Sequence, residues 1–426
     1  MSNCAIVGIN WGDEGKGRMV DLLTEEYDIV IRCQGGGNAG HTVINERGKF
    51  ALHLLPSGIF RKGTVNVLGN GVALDLENLW NEIETVRSQG IEISPENLKI
   101  SDRASLLLPW HRELDMLEEA RLADKKYGST KQGIAPFYSD KFQKKTILAG
   151  ELLHPDHLRE HVEGLTEWKD LTLTRVYGDE AVKTDDLMSW LSDYGNKLKD
   201  FICDTGKYLR TAQKEGKSIL FEAQLGALKD IDFGIYPYVT SSNTIAAYAP
   251  IGAGIPGTRI DKIIGVVKAY STAVGEGPFV AEWFGDQAEE LREKGFEYGA
   301  KTGRARRVGP LDLVATRYGV EVQGATDIAF TKLDILSYMD KIPVCTGYRL
   351  NGEVITDFPF PALLDSCEPV YEYLPGWKGI DISGCRSWDE LPKAAQDYVL
   401  YVEKAIGCRI TYVSVGAERE ACIYRN

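Results

Sequence analysis

The sequence predicts an α/β protein with a large, mostly parallel, doubly wound sheet, helices on both faces and helical insertions. Short runs rich in β-branched residues alternate with amphipathic stretches, as in strand–helix–strand units. A glycine-rich turn follows the first of these runs, and such turns lead from a strand into a phosphate-binding helix. The runs that predict strands span residues 4–7, 27–32, 64–68, 217–221, 262–268, 327–331, 342–346 and 410–414.

Helix signals lie between these runs. A short helix is predicted over residues 17–25, directly after the glycine-rich turn. Ser387 and Glu390 have the spacing of a capping box, which predicts a helix that begins there and runs to Ala405.

One region differs from this alternation. Residues from about 106 to 217 are predicted to be mainly helical, and Asp286 is predicted to cap another helix over residues 287–294. No repeat or linker divides the chain, and the informative motifs are dispersed along it. We therefore expect a single large domain over residues 1–426 with a mainly helical insertion at about 106–217. The helices expected in the insertion span residues 111–125, 157–163 and 185–215.

Composition narrows the functional class. The chain has 426 residues, of which 43% are hydrophobic and 26% charged, and its net charge is −13. This charge argues against a general nucleic-acid or membrane binder. No apolar run approaches ~18 residues, and the amino terminus lacks the features of a secretory signal. Eight cysteines without CxxC spacing suggest reduced thiols, so a cytoplasmic location is expected.

The glycine-rich turn at residues 8–17 is predicted to bind phosphate. It reads Gly-Ile-Asn-Trp-Gly-Asp-Glu-Gly-Lys-Gly. Bare backbone N–H groups and the helix dipole favour an anion there, and Lys16 adds a point charge. It is not a Walker A loop, because Asn10 stands where that motif needs glycine, and Gly17 supplies no hydroxyl for Mg²⁺.

Two carboxylates, Asp13 and Glu14, lie inside this anion site. Carboxylates repel phosphates unless a metal or a proton-transfer role accounts for them. Asp13 is therefore the first catalytic candidate. The second is His41, which lies in another glycine-rich run at residues 34–42.

These runs, with five others, resemble the adenylosuccinate synthetase family, and the resemblance spans nearly the whole chain. The segments that carry it are residues 11–17, 36–42, 52–58, 230–244, 302–307, 331–334 and 375–377.

The resemblance implies a GTP-dependent ligase that joins L-aspartate to C6 of IMP through a 6-phosphoryl intermediate. Its products would be adenylosuccinate, GDP and phosphate. Replacing a 6-oxo group by an amine requires that N1 lose its proton and that O6 become a leaving group. The resemblance gives Asp13 the role of base and His41 that of the acid assisting phosphoryl transfer. Lys16 and Gln224 complete the catalytic set, and Asp13 with the Gly40 carbonyl would hold Mg²⁺.

The resemblance also assigns three binding sites. Asp334 would accept hydrogen bonds from the N1–H and N2–H₂ edge of guanine, which favours GTP over ATP, and Lys332 would pack on the base. The aspartate ligands would be Thr302, Arg304 and Arg306. The full GTP set is Gly12, Glu14, Gly15, Lys16, Gly17, Gly40, His41, Thr42, Arg306, Lys332, Asp334, Ser414 and Gly416. The purine monophosphate set is Asp13, Asn38, Thr130, Lys144, Gln224, Leu225, Thr240 and Arg304.

Two segments depart from the family pattern. Leu225 stands where the family has a purine-contacting glutamine, and Gln224 lies one residue earlier. A slip of one residue in an extended segment points a side chain to the opposite face. Lys144 aligns with an arginine that the family borrows from the neighbouring subunit, so a homodimer with shared sites is expected.

Two alternative functions remain open. The altered glutamine segment favours a 2-amino purine such as GMP or dGMP as the substrate, although Asp13 would be crowded by a 2-amino group near N1. The other alternative is a non-catalytic GTP-binding module. The retained Asp13, Lys16, His41 and Arg304 argue against it.

Overall fold

The computed structural model describes residues 2–38, 40–45, 48–299, 303 and 305–425. Twenty strands lie in this part of the chain. In chain order they are β1 (Asn3–Gly8), β2 (Ile29–Arg32), β3 (His41–Asn45), β4 (Gly48–Leu52), β5 (Val65–Leu68), β6 (Ala73–Leu74), β7 (Leu98–Ser101), β8 (Ser105–Leu106), β9 (Ile202–Cys203), β10 (Ile219–Glu222), β11 (Lys262–Lys268), β12 (Ser271–Ala273), β13 (Arg307–Gly309), β14 (Leu311–Asp312), β15 (Asp327–Thr331), β16 (Lys341–Leu350), β17 (Glu353–Ile355), β18 (Glu368–Pro375), β19 (Ile410–Ser414) and β20 (Cys422–Tyr424).

Eleven α-helices accompany the strands in the described residues, together with short 3₁₀ turns and one π-helical stretch, Leu171–Tyr177. The α-helices are α1 (Lys16–Leu23), α2 (Leu76–Ser88), α3 (Pro109–Leu122), α4 (Ile134–Phe142), α5 (Pro155–Asp170), α6 (Thr184–Leu198), α7 (Thr205–Lys214), α8 (Ala249–Gly252), α9 (Asp286–Gly295), α10 (Leu313–Gln323) and α11 (Lys393–Ile406).

The predicted fold class is confirmed by a ten-stranded sheet. Its strands run in the order β20-β19-β15-β11-β1-β10-β2-β5-β7-β9. Every neighbouring pair is parallel except β19 and β20. Central strands covered on both faces are mostly apolar, and all six residues of β1 are buried.

Helices cover both faces of this sheet, as successive residues of β10 illustrate. Leu220 packs in a cluster with Met19 of α1, whereas Phe221 packs on the other side with Leu209 of α7. This alternation follows from the pleat of a strand. A smaller sheet consists of β14, β16, β17 and β18, which come between β13 and α11 in the sequence. No helix of the described residues has the length and hydropathy needed to cross a membrane.

Two predicted helix starts were wrong. Ser387 and Glu390 do form a capping box, but it caps the start of the 3₁₀ turn Trp388–Glu390. The helix α11 begins only after Pro392. A proline disfavours helical backbone in the residue before it, which is why the two pieces are separate. Asp286 is the first residue of α9, and Gly285 takes the cap position.

The expected helix at residues 185–215 is two helices. Between α6 and α7 the chain passes through β9, which pairs with β7 and forms the edge of the main sheet. The region predicted to be a mainly helical insertion therefore also extends the central sheet. A strand of only two residues leaves too short an apolar run to be detected from the sequence.

Candidate active site

The residues of the phosphate loop, His41 and the predicted guanine site lie at one edge of the main sheet. The segments that carry them follow the carboxyl ends of β1, β2, β10, β15 and β19, which are parallel strands. Ligands of open α/β sheets bind at this edge, where the loops leave the strands. Motifs separated by hundreds of residues in the sequence thus become neighbours.

Glu14 holds the phosphate loop from the inside. One carboxylate oxygen accepts the N–H groups of Asn10 at 3.2 Å and Gly12 at 2.8 Å, and the other lies 2.6 Å from Lys16 Nζ. Both charged side chains are buried. Thr331, at the end of β15, donates its hydroxyl to the Glu14 carbonyl at 2.7 Å. The loop is thereby fixed to the strand that leads to the predicted guanine site.

Neighbouring backbone approaches this loop closely. A Cβ on Gly8 would lie 2.1 Å from the Leu225 carbonyl oxygen, and a Cβ on Gly17 would lie 2.7 Å from His41 Cβ. Only glycine permits these approaches. His41 and Leu225, from two distant segments, therefore pack directly against the loop.

His41 is buried and held through one ring nitrogen. Its Nδ1 contacts the carboxylate of Glu222, which also accepts the Ser57 N–H at 2.8 Å and the Ser57 hydroxyl at 2.7 Å. A carboxylate can only accept, so Nδ1 carries a proton. His41 Nε2 is buried and has no hydrogen-bond partner among the described residues. This nitrogen is left for a ligand.

Burial lowers the pKa of His41, against the opposing effect of Glu222. Burial alone would raise the pKa of Glu222, but His41, Arg32 and Ser57 together bring it below its ordinary value. His41 is therefore neutral and Glu222 charged at neutral pH. A phosphate placed at Nε2 would favour the cationic ring, because an adjacent negative charge raises the pKa of histidine.

Asp13 has a left-handed backbone, with φ 60°, and its side chain is about one-third exposed, at 32%. Arg306 Nε lies 2.9 Å from Asp13 Oδ2. The same guanidinium donates from Nη1 to Glu297 at 2.7 Å. The predicted base and a predicted aspartate ligand are thus in contact.

The donor set suits Mg²⁺ bound together with phosphate. No cluster of three or more histidine, cysteine or acidic residues suited to a metal occurs in the part of the chain that the structure describes. Mg²⁺ in phosphate-transfer sites needs only one or two carboxylates, with phosphate and water oxygens as the remaining ligands. Asp13 offers a carboxylate beside the phosphate loop, and Gly40 is exposed. The residues present therefore fit this ion.

The predicted guanine residues follow β15. Lys332 has φ 60° and donates to the Gly295 carbonyl and to Glu297, both at 2.7 Å. Asp334 Oδ1 is buried without a hydrogen-bond partner in the described part. Burial raises the pKa of Asp334, against the charges of Lys332 and Arg18. A buried acceptor without a partner is costly, so it marks a place where a ligand donor fits.

The end of β19 is hydrogen-bonded to α1 and to the turn that follows the strand. Ser414 accepts from the Arg18 guanidinium and donates to the Gly416 carbonyl at 3.1 Å. Arg419, in the following turn, donates to Asp21 of α1 at 3.0 Å. The helix that begins at the phosphate loop therefore also anchors the turn that carries the last predicted GTP residues.

Gln224 does not face the open side of the site. Its side chain is fully buried, and its amide donates to the Gly36 carbonyl at 2.9 Å. Its Oε1 has no partner among the described residues. Leu225 has φ 59° and is partly exposed, with its Cα 3.3 Å from the position of a Cβ on Gly12. The side chain at the glutamine position of the family pattern is thus an apolar one beside the phosphate loop.

The other predicted purine monophosphate residues are more widely spread. Asn38 accepts the Gly36 N–H at 3.1 Å, and the Thr240 N–H donates to the Lys229 carbonyl at 2.9 Å. Thr130 and Lys144 are exposed. Their role in binding stays a prediction.

Two groups of predictions concern residues that are not fully described. Thr302 and Arg304 lie outside the described residues. The backbone of Thr42 belongs to β3, which pairs with β4.

Sequence reasoning missed two buried carboxylates of the site, Glu222 and Glu297. Both are fully buried and contact predicted site residues. Glu222 lies two residues before Gln224, and the departure from the family pattern at Gln224 and Leu225 was a signal near it. Glu297 precedes the basic segment at residues 302–307, and no spacing rule distinguishes it from a surface glutamate.

Comparison with known proteins decides the family. A sequence model described as adenylosuccinate synthetase matches residues 5–423. The chain belongs to the adenylosuccinate synthetase family. An adenylosuccinate synthetase of Caldanaerobacter subterraneus subsp. tengcongensis is 45% identical over 424 residues, covering 99% of both chains. One from Nitratidesulfovibrio vulgaris is 44% identical over 427 residues and covers all of both chains.

Solved structures agree with this family assignment. The fully ligated adenylosuccinate synthetase from Plasmodium falciparum superposes with a TM-score of 0.93 at 36% identity, covering 100% of both chains. The succinoaminodeoxyadenylate synthetase of cyanophage S-2L, bound to dGMP and dATP, has a TM-score of 0.62 at 19% identity, covering 100% of this chain and 95% of its own. The second likeness is one of fold alone. The predicted family is confirmed, and with it the ligase class.

Proposed function

We propose that this member of the adenylosuccinate synthetase family joins L-aspartate to C6 of IMP at the expense of GTP, through a 6-phosphoryl intermediate. The observation that carries this proposal is the meeting of His41 and Asp13 at one phosphate loop. His41 packs on Gly17, its Nε2 has no hydrogen-bond partner in the part of the chain that is described, and Asp13 lies within the loop beside Arg306.

The residues divide the reaction between them. Asp13 takes the N1 proton, so that O6 becomes nucleophilic toward the γ-phosphorus of GTP. Lys16 and the loop N–H groups stabilise the charge on the transferred group, and His41, once protonated by the approach of phosphate, donates from Nε2. Phosphate leaves C6 when the amine of aspartate attacks, and Arg306 orients that amino acid through its carboxylates.

Mg²⁺ is the cofactor that this site fits. It would be held by Asp13 and the Gly40 carbonyl together with phosphate oxygens. When bound, it neutralises charge on the phosphates of GTP. The contact between Asp13 and Arg306 shows that the carboxylate also has a protein partner, which keeps its charge compensated before substrates arrive.

A second substrate is favoured by one observation. Leu225 is apolar and cannot make the glutamine contact to the purine that the family resemblance implies at its position, and the amide of Gln224 donates to the Gly36 carbonyl. A 2-amino purine such as GMP or dGMP is therefore the alternative substrate. IMP remains the leading one, because a 2-amino group would crowd Asp13.

Steady-state assays with IMP, GMP and dGMP, each with aspartate and either GTP or ATP, distinguish these cases. IMP with GTP is expected to give the highest kcat/KM. A value for GMP or dGMP tenfold above that for IMP would replace the substrate and keep the ligase. No turnover with any combination would leave only a nucleotide-binding module.

We further propose a homodimer of single-domain subunits in the cytoplasm. One sheet takes strands from residue 3 to residue 424, which supports a single domain. Lys144 is exposed with φ 63°, and Phe142 beside it is 77% exposed, as expected at an interface. All eight cysteines are free thiols, which supports a reducing compartment.

A further inference from the structure

Glu297 is a buried acceptor shared by the two ends of the site. Its carboxylate is fully buried and accepts from Arg306 Nη1 at 2.7 Å and from Lys332 Nζ at 2.7 Å. Lys268 Nζ lies 2.9 and 3.1 Å from its two oxygens, and the Tyr270 hydroxyl donates at 2.5 Å. Three cations thus surround one carboxylate, an arrangement in which each cation depends on where the carboxylate is held.

Its two functional neighbours differ in one assigned substrate, since only Arg306 is assigned to aspartate, although both are counted among the GTP residues. Under the proposed function, Arg306 contacts aspartate and Lys332 contacts the guanine of GTP. Glu297 fixes Arg306 through the backbone as well, because the Arg306 N–H donates to the Glu297 carbonyl at 2.9 Å. Tyr298 and Ala305, the next residues on either side, form an isolated antiparallel bridge. The carboxylate therefore lies where the two chain segments are paired.

We infer that Glu297 is a positioning residue that couples GTP binding to aspartate binding, by holding Lys332 and Arg306 on one carboxylate. A guanine base packed on Lys332 restrains Glu297 and thereby the guanidinium of Arg306. When aspartate binds second, the protein then loses less conformational freedom, because Arg306 is already restrained, and the coupling is positive. Thermodynamic reciprocity requires that aspartate tighten GTP binding by the same factor.

Lys268 provides a matched control. It contacts the same carboxylate and Thr272, at 2.8 Å, but neither predicted ligand site. Burial lowers its pKa to about 8, against the charge of Glu297. Replacing it by methionine removes contacts to the Glu297 carboxylate but leaves the bonds of that carboxylate to Lys332 and Arg306 in place.

The test measures binding of a GTP analogue with an imide bridge between the β- and γ-phosphates, with saturating IMP, with and without saturating aspartate. In the unmutated protein aspartate is expected to tighten analogue binding at least fivefold, within the common range of about 5–150-fold. Glu297→Gln should reduce this factor to less than about twofold. Lys268→Met should retain it, and Glu297→Asp should restore part of it.

Two results would overturn the inference. One is a coupling factor of one in the unmutated protein. The other is a Glu297→Gln variant that binds each ligand more weakly but keeps the original factor, since that pattern means a purely structural role. If Glu297→Gln does not fold, the double variant Glu297→Gln/Lys268→Met restores the balance of charge and takes its place. The inference rests on the proposed function, and failure of that function is seen separately, as a lack of turnover in the unmutated protein.

Discussion

Glu222→Gln should slow the chemical step while leaving the protein able to bind GTP. The substitution keeps the shape of the side chain and removes the charge that faces His41. The amide oxygen can still accept from Nδ1, but it no longer stabilises the imidazolium that the proposed reaction needs. A hydrogen bond to a charged group is worth ~1.5–3 kcal/mol. If that is lost only in the transition state, kcat falls about 10–160-fold.

The pH dependence gives the sharper readout. Activity that requires protonated His41 is lost as pH rises through the pKa of that group in the complex. Burial already lowers this pKa in the free protein, and Glu222 opposes the effect. Glu222→Gln should therefore move the alkaline limb of the kcat profile to lower pH. The assay is kcat against pH with saturating IMP, aspartate and GTP.

Glu82→Gln is the matched control for this substitution. Glu82 accepts the N–H groups of His53, Leu54 and Leu55, and its charge also acts on Arg32, but it does not contact His41. Both variants should lower the free energy of unfolding, and only Glu222→Gln should move the limb. A limb that superimposes on that of the unmutated protein, or a kcat within twofold of it, would refute the role given to Glu222.

Three further predictions test other parts of the site and fold. Asp334→Asn should relax the preference for GTP over ATP by ~1–3 kcal/mol in kcat/KM, because the guanine edge loses its paired acceptor; equal values for the two nucleotides in the unmutated protein would contradict this. Lys144→Leu subunits mixed with Asp13→Asn subunits should recover some activity, since one site per heterodimer is intact; no recovery after proven exchange would count against shared sites. Burial raises the pKa of Asp312 to about 6. The stability contributed by its protonated form is present below the unfolded pKa of ~3.9 and is lost as pH rises through about 6, a difference of about 2–3 kcal/mol in the free energy of unfolding. Asp312→Asn should remove this pH dependence from denaturation curves measured at about pH 4 to 7.

Strands with a long apolar run were predictable to the residue. The bounds of β11, β15 and β19 agree with the predicted runs, because each strand is buried on both faces and is flanked by polar turns. The edge strand β9 has two residues and no such run. Pro392 shows another limit, since a correct capping box at Ser387 was followed by a break that separated the cap from α11.

The site was predictable where one segment carries its own chemistry. Asp13 and Lys16 could be identified within a single loop. Glu297 could not, because its importance lies in contacts with Arg306, Lys268 and Lys332, which lie 9, 29 and 35 residues away in the sequence. The direction of the Gln224 side chain was likewise beyond reach, since it depends on the Gly36 carbonyl that accepts from it.

The left-handed backbone at Asp13, Leu225 and Lys332 sets stability against activity at the site. Their φ angles are 60°, 59° and 60°. Such a conformation costs a residue with a Cβ roughly 1–2 kcal/mol, so together these three forgo about 3–6 kcal/mol, a large share of the ~5–15 kcal/mol that keeps a typical protein folded. Glycine at any of them would relieve the strain and delete a side chain at the site. Selection for heat resistance alone should therefore favour glycine at these positions early. The resulting enzymes should have a higher thermal stability and a lower turnover rate.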